Sequence, residues 1–109
     1  MYIDLPVLDG KLQPLVAGRW WANAPLAMVD QYVSNLRKLH AIAMDVGTRD
    51  EPIASTTKAL DQILIQYEIR HTFETYDGTH TSGVAERMET KVLPFFTNNL
   101  AFGKNGAKR

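Results

Sequence analysis

Two strand-like segments joined through one helix-length stretch constrain this chain more than any other feature. The first is Leu39-His40-Ala41-Ile42-Ala43-Met44-Asp45-Val46, closed by Gly47-Thr48-Arg49-Asp50. The second is Ile69-Arg70-His71-Thr72-Phe73-Glu74-Thr75-Tyr76, closed by Asp77-Gly78-Thr79-His80. Strands connected through a helix run parallel and leave their sheet at the same edge. That C-terminal edge is where open α/β sheets build their sites. Adjacent strands lie about 5 Å apart. Asp50 and His80 are therefore expected side by side, far apart as they are in sequence.

Size and charge narrow the rest. The 109 residues suffice for one small domain. A chain this short hides only about 65% of its unfolded surface, so thin stability is expected. Twelve basic and twelve acidic residues cancel, which leaves no basic field for nucleic acid or an anionic membrane. The one charge bias is Lys104, Lys108 and Arg109, read as a frayed tail. The absence of cysteine excludes disulfides, thiolate zinc sites and cysteine nucleophiles. No apolar run approaches the roughly 18 residues of a membrane span, and no signal-peptide pattern opens the chain. Nothing calls for a metal or another cofactor.

Residues 1–24 read as irregular, punctuated by Pro6, Gly10, Pro14 and Gly18. Pro25 suits a first helical turn, and Val29, Tyr32, Val33 and Leu36 form an apolar stripe. The spacing predicts a helix over 25–38, with Arg37 and Lys38 favouring its C-terminal dipole. Residues 39–46 are apolar on both faces apart from His40 and Asp45, as in a buried parallel strand. Pro52 sits at an expected N1 position. Leu60, Ile63, Leu64 and Tyr67 predict a second helix over 53–67. The 69–76 strand alternates more weakly. A last helix is expected over 83–101 along Val84, Met88, Val92, Phe95 and Phe96, kinked at Pro94. The fold class is thus α/β. Residues 1–109 form one partial domain: an irregular segment 1–24, an α-β-α-β-α body 25–102 and a tail 103–109. Two strands alone make a poor sheet. The pattern reads as the C-terminal β-α-β-α portion of a larger doubly wound, mainly parallel sheet.

Residues 1–102 resemble the C-terminal part of α/β-hydrolase-fold serine esterases, the group that includes S-formylglutathione hydrolase-like and feruloyl-esterase-like enzymes. The resemblance is carried by Arg19-Trp20, Ala24-Pro25-Leu26, Asn35-Leu36-Arg37-Lys38-Leu39, Asp45-Val46-Gly47-Thr48-Arg49-Asp50, Tyr76-Asp77-Gly78-Thr79-His80 and Leu93-Pro94-Phe95-Phe96, in that order. It implies a triad in chain order Ser, Asp, His, with Asp50 as the acid and His80 as the general base. The nucleophile is missing. No G-x-S-x-G occurs, and Ser34, Ser55 and Ser82 do not lie on a strand-to-helix elbow. The oxyanion-hole segment of the family fold is absent too.

Each candidate has a simpler reading. Asp50 can cap the helix that follows it, and His80 can be an ordinary loop histidine; the resemblance favours the triad roles. Asp45 lies within its strand and reads as structural. His40 and His71 fall near the strand starts, at the opposite end from the site, and read as surface or edge residues. That placement argues against a metal trio of His40, His71 and His80. Ser82 reads as a helix N-terminus residue. Trp20 and Trp21 could line an acyl pocket, although packing is the simpler role. The apolar stripe of the last helix reads as core or interface.

The function implied by the resemblance is that of a fragment or truncated relative of a serine carboxylesterase, inactive alone, with a small ester as substrate only in an intact parent. The alternative is a small non-catalytic module, self-associating or binding, built on the same framework. A third class is acid–base chemistry by Asp50 and His80 unrelated to esters. An unpaired apolar strand edge is a template for another chain, so self-association is expected, most simply as a two-fold homodimer.

Overall fold

The computed structural model describes residues 3–101. The tail 103–109, with Lys104, Lys108 and Arg109, lies outside the described residues. Strands β1 (Val7–Leu8) and β2 (Lys11–Leu12) form an antiparallel hairpin. Helices α1 (Pro14–Ala22) and α2 (Pro25–Leu36) follow, then strand β3 (Ala43–Gly47), helix α3 (Ile53–Gln66) and strand β4 (Thr72–Tyr76). A final rod comprises α4 (Val84–Arg87), a π-helical turn (Met88–Val92) and α5 (Leu93–Asn99). No helix among the described residues is long and apolar enough to cross a membrane.

The chain is mixed α/β, and β3 and β4 pair in parallel through the α3 crossover. The register places Ala43 beside Thr72, Asp45 beside Glu74 and Gly47 beside Tyr76. Both strands are shorter than the sequence suggests. Ile69 lies just past the turn that ends α3 rather than in β4, and Leu39 and His40 stay outside the ladder and exposed. β3 begins only after the chain has turned away from α2 and met its partner.

The N-terminal region is not irregular, contrary to the sequence reading. Asp9 and Gly10 both take positive φ, 48° and 72°, the geometry of a two-residue hairpin turn for which Asp-Gly is a favoured pair. Pro14 then opens α1 with its fixed φ and its missing N–H, which no helical carbonyl would have used. Pro25 opens α2 in the same way. Pro52, expected as the first helical residue, instead sits at the N-cap of α3. The kink expected at Pro94 takes the form of the π turn just ahead of it. Pro94 has no N–H for the carbonyl four residues earlier, and widening the preceding turn accommodates the gap.

A small core lies between α2, α3 and one face of the sheet. Val29, Leu64 and Ile69 are buried, with Val33, Leu36, Ile42, Met44, Leu60, Ile63 and Tyr67 packed around them. The stripes read from the sequence for α2 and α3 supply most of it, although Tyr32 turns outward. The stripe of the last helix does not become core: Val84, Met88 and Phe96 are each more than two-fifths exposed. Arg87 clamps that rod to the opposite face of the sheet. Its Nε donates to Asp45 Oδ2 and its Nη2 to Glu74 Oε2, both at 2.6 Å, and the guanidinium lies 5.1 Å from the centre of the Tyr76 ring. Lys91 adds a bond to Glu74 at 3.0 Å. Asp45 is thus structural, as its place within the strand suggests. Hydrogen bonds from Arg87 and Lys91 hold the Glu74 carboxyl below its usual range.

The whole remains open. The chain exposes 9065 Å², whereas a compact monomer of its 12.3 kDa would expose about 6,100 Å². Its radius of gyration is 18.1 Å, against roughly 13 Å for a compact domain of this length.

The end of α3 is locally strained. Glu68 adopts φ 54°, the left-handed conformation that usually belongs to glycine. The N–H of Glu68 bonds to the Ile65 carbonyl and that of Ile69 to the Leu64 carbonyl, each at 2.9 Å. This paired cap turns the chain so that Ile69 drops onto Leu64 in the core. Glu68→Gly keeps the cap and removes the steric cost, so the unfolding free energy is expected to rise by about 1 kcal/mol, read as a higher urea midpoint at unchanged slope.

Candidate functional site

The parallel ladder does not stop where the strands do. Beyond β3, the Thr48 N–H donates to the Tyr76 carbonyl at 2.8 Å and the Arg49 N–H to the Gly78 carbonyl at 2.9 Å. An ion pair between Arg49 and Asp77, at 3.0 Å, ties the same two loops together on the outside. Gly47 permits the approach: a Cβ there would overlap the Gly78 carbonyl. The two loops therefore leave the sheet side by side, each held by backbone bonds rather than by chance contact.

Those loops bring Asp50 and His80 together. His80 Nδ1 lies 3.2 Å from Asp50 Oδ1 and 3.1 Å from Oδ2. The Asp50 side chain is 14% exposed and that of His80 is 72% exposed. A carboxylate only accepts hydrogen bonds, so Nδ1 carries the proton and Nε2 presents its lone pair to solvent. Asp50 does not cap α3 through its side chain. Its backbone does that work, with the Asp50 carbonyl accepting from Ala54 N–H at 2.7 Å. The His80 loop is braced from within, where the Ser82 hydroxyl accepts from Thr79 N–H at 2.7 Å. Ser82 is therefore a loop brace and not a helix cap, since the cap of α4 falls on Gly83. An oriented imidazole with one free nitrogen can act as a general base toward whatever acidic proton comes within reach.

No serine hydroxyl is hydrogen-bonded to His80 among the described residues. Ser34 lies on α2, the Ser55 hydroxyl donates to Glu51 at 2.7 Å, and Ser82 is engaged by Thr79. Trp20 and Trp21 sit on α1, and both are more than half exposed, so the packing role read for them does not hold. The Trp20 indole N–H donates to the Asp4 carbonyl at 3.1 Å. Neither indole is hydrogen-bonded to the Asp50–His80 pair. Among the described residues no three His, Cys, Asp or Glu side chains converge as a metal site would require.

A second histidine–aspartate pair escaped the sequence reading. His71 was expected at the surface, but its side chain is 7% exposed, against 12% for its partner Asp61. The strand-start position hid this, because β4 begins only at Thr72 and His71 tucks back under α3. Its Nδ1 lies 2.7 Å from the Ile69 carbonyl and its Nε2 2.9 Å from Asp61 Oδ1. Both partners are acceptors, so the geometry suits the doubly protonated ring. Burial is the largest single influence on this imidazole and works against its charge; the bonds to Ile69 and Asp61 and the field of Asp61 together outweigh it, and the pKa is raised. The only sequence clue is an acidic residue on the stripe side of α3, ten positions upstream of the histidine.

No known protein family matches the sequence, and a search of curated proteins finds no relative.

The raised His71 pKa links folding to pH. An imidazole protonated more readily in the folded chain contributes stability that is complete below its unfolded pKa, about 6.5. That contribution is lost as pH rises through the higher folded value. Stability is therefore expected to fall as pH climbs above about 6.5, by no more than about 1.4 kcal/mol per pH unit for one proton. His71→Gln is expected to flatten this slope in urea titrations between pH 5.5 and 8.5, values chosen to bracket that pKa.

Proposed function

We propose that this chain is a fragment or truncated relative of a serine carboxylesterase, with Asp50 as the triad acid, His80 as the general base and the nucleophilic serine missing. The observation that supports the reading is the 3.1 Å bond between His80 Nδ1 and Asp50, formed by loops at the C-terminal ends of adjacent parallel strands. In an intact parent a serine hydroxyl would lie against His80 Nε2. The imidazole would take the hydroxyl proton as the oxygen attacks an ester carbonyl, then return a proton to the leaving alcohol. Asp50 would hold the ring in the required tautomer and stabilise the imidazolium. Here the base has no serine to activate, so the isolated chain does not turn over esters by this route.

The alternative, a non-catalytic self-associating or binding module on the same framework, is favoured by a different observation: the chain exposes far more surface than a compact monomer of its mass. The two readings agree on inactivity and differ in ancestry and partner.

Hydrolysis of a nitrophenyl ester by the purified chain is expected to match that by His80→Ala. Turnover that depends on His80 would replace the esterase-fragment reading with independent acid–base chemistry. Nitrogen NMR of the imidazole is expected to place the His80 proton on Nδ1 and to lose that preference in Asp50→Asn. The DNA upstream of Met1 decides ancestry: an in-frame G-x-S-x-G supports the fragment, and its absence counts against it.

A further inference from the structure

We propose that Tyr76 is a positioning residue for the Asp50–His80 pair, its ring serving as the template on which residues 77–83 fold. The proposal rests on the reading of that pair as the acid and base of an esterase site. Little holds His80 itself. Its side chain is 72% exposed, so packing against the imidazole does not set its direction. Whether Nδ1 meets Asp50 is decided by where the loop backbone puts position 80 and how firmly it is held there.

Tyr76 is the last residue of β4 and lies opposite Gly47. Its backbone is tied into the extended ladder, where its carbonyl accepts from Thr48 N–H at 2.8 Å. Its side chain shares a face of the strand with that of Glu74, the face on which Arg87 bonds to Glu74. The Arg87 guanidinium lies over the Tyr76 ring, 5.1 Å from its centre, and an aromatic face attracts a cation placed there. The residue is thus held by its backbone and by its ring before the loop begins.

The loop then turns back along the ring. Gly78 and Gly83 both approach the edge formed by Cδ2 and Cε2, so closely that a side chain would not fit at either position. A Cβ on Gly78 would overlap Tyr76 Cε2, and one on Gly83 would lie 2.9 Å from it. Gly83 also takes φ 80°, a conformation open to glycine at no steric cost. The Gly78 carbonyl accepts from Arg49 N–H at 2.9 Å, so this glycine joins the ring to the segment that leads to Asp50. Between the two glycines, Thr79 and Ser82 tie across the bend. Ser82 Oγ accepts from Thr79 N–H at 2.7 Å, and Thr79 Oγ1 accepts from Ser82 N–H at 3.3 Å. His80 sits inside that bend. Contacts therefore run from Arg87 through the Tyr76 ring to the glycines and on to His80. Leucine in place of Tyr76 ends at Cδ and lacks the Cε2 atom that both glycines touch. The dispersion contact would be lost on that side, leaving the bend free to carry His80 off Asp50.

Nitrogen NMR of the neutral imidazole, at about pH 8, reads the result. In Tyr76→Leu the ratio of Nδ1–H to Nε2–H at His80 is expected to fall by about tenfold or more, as the loss of one charge-assisted bond requires. Tyr76→Phe keeps the ring and is expected to keep the ratio. The His71 imidazole, bonded to Asp61 near the start of β4, reports whether the fold survives, and its signals are expected to stay unchanged in both variants. A folded Tyr76→Leu chain with an unaltered His80 ratio would overturn the proposal, and so would an equal loss in Tyr76→Phe. Proton–proton contacts between the Tyr76 ring and the α-protons of Gly78 and Gly83 are expected in the unaltered chain. They give an answer even where Tyr76→Leu does not fold, since their absence would also overturn the proposal. The esterase reading fails separately: upstream DNA without an in-frame G-x-S-x-G would count against that reading and leave the dependence of His80 on Tyr76 standing.

Discussion

A single parallel pairing, five residues long on each strand, carries the organisation of this chain. It sets Asp45 beside Glu74, and two adjacent carboxylates on one face repel unless a cation joins them. Arg87 is that cation, and in answering the repulsion it fixes where the C-terminal rod lies. The same pairing runs on past the strands, through Thr48 and Arg49, and delivers Asp50 to His80. Site and clamp are thus two consequences of one register. A slip by one residue would turn Asp45 to the apolar side and separate the loops.

Against that local order stands a thin interior. Val29, Leu64 and Ile69 make a core on one side of the sheet only. On the other side the rod is held mainly by ion pairs with a cavity beneath them. Ion pairs with partly exposed members stabilise little, whereas buried apolar surface is the dominant favourable contribution to folding. Many large apolar side chains on the hairpin, α1 and α5 remain outside. The organisation is that of a layer, with specific pairing within it and unsatisfied surface around it.

What could be read from the sequence follows the range of the forces involved. The α2 and α3 stripes were legible because helical periodicity is local, and the nearness of Asp50 and His80 because a helix between two strands leaves one chirality and one direction. The hairpin was missed although Asp9-Gly10 announces it, because its strands are only two residues long and show no alternation. Arg87 was invisible because its partners lie 42 and 13 positions away on elements whose mutual register no local pattern encodes. His71 was misplaced for a related reason. Its burial depends on the cap at Glu68, where a residue other than glycine takes the left-handed turn.

The two histidine–aspartate pairs show how environment divides one chemistry into two roles. At His71 both ring nitrogens face acceptors, one a carbonyl and one a carboxylate, inside the protein. Both nitrogens of that ring are taken up by protein acceptors, so it offers no free nitrogen to a substrate and braces α3 against the start of β4. At His80 one nitrogen is satisfied by Asp50 and the other opens to solvent. That ring keeps one nitrogen free and a fixed orientation set by the bond from the other to Asp50. A carboxylate beside an imidazole is therefore no sign of catalysis by itself. The distinguishing feature is the unoccupied second nitrogen, and among the described residues only the pair at the C-terminal edge of the sheet has one.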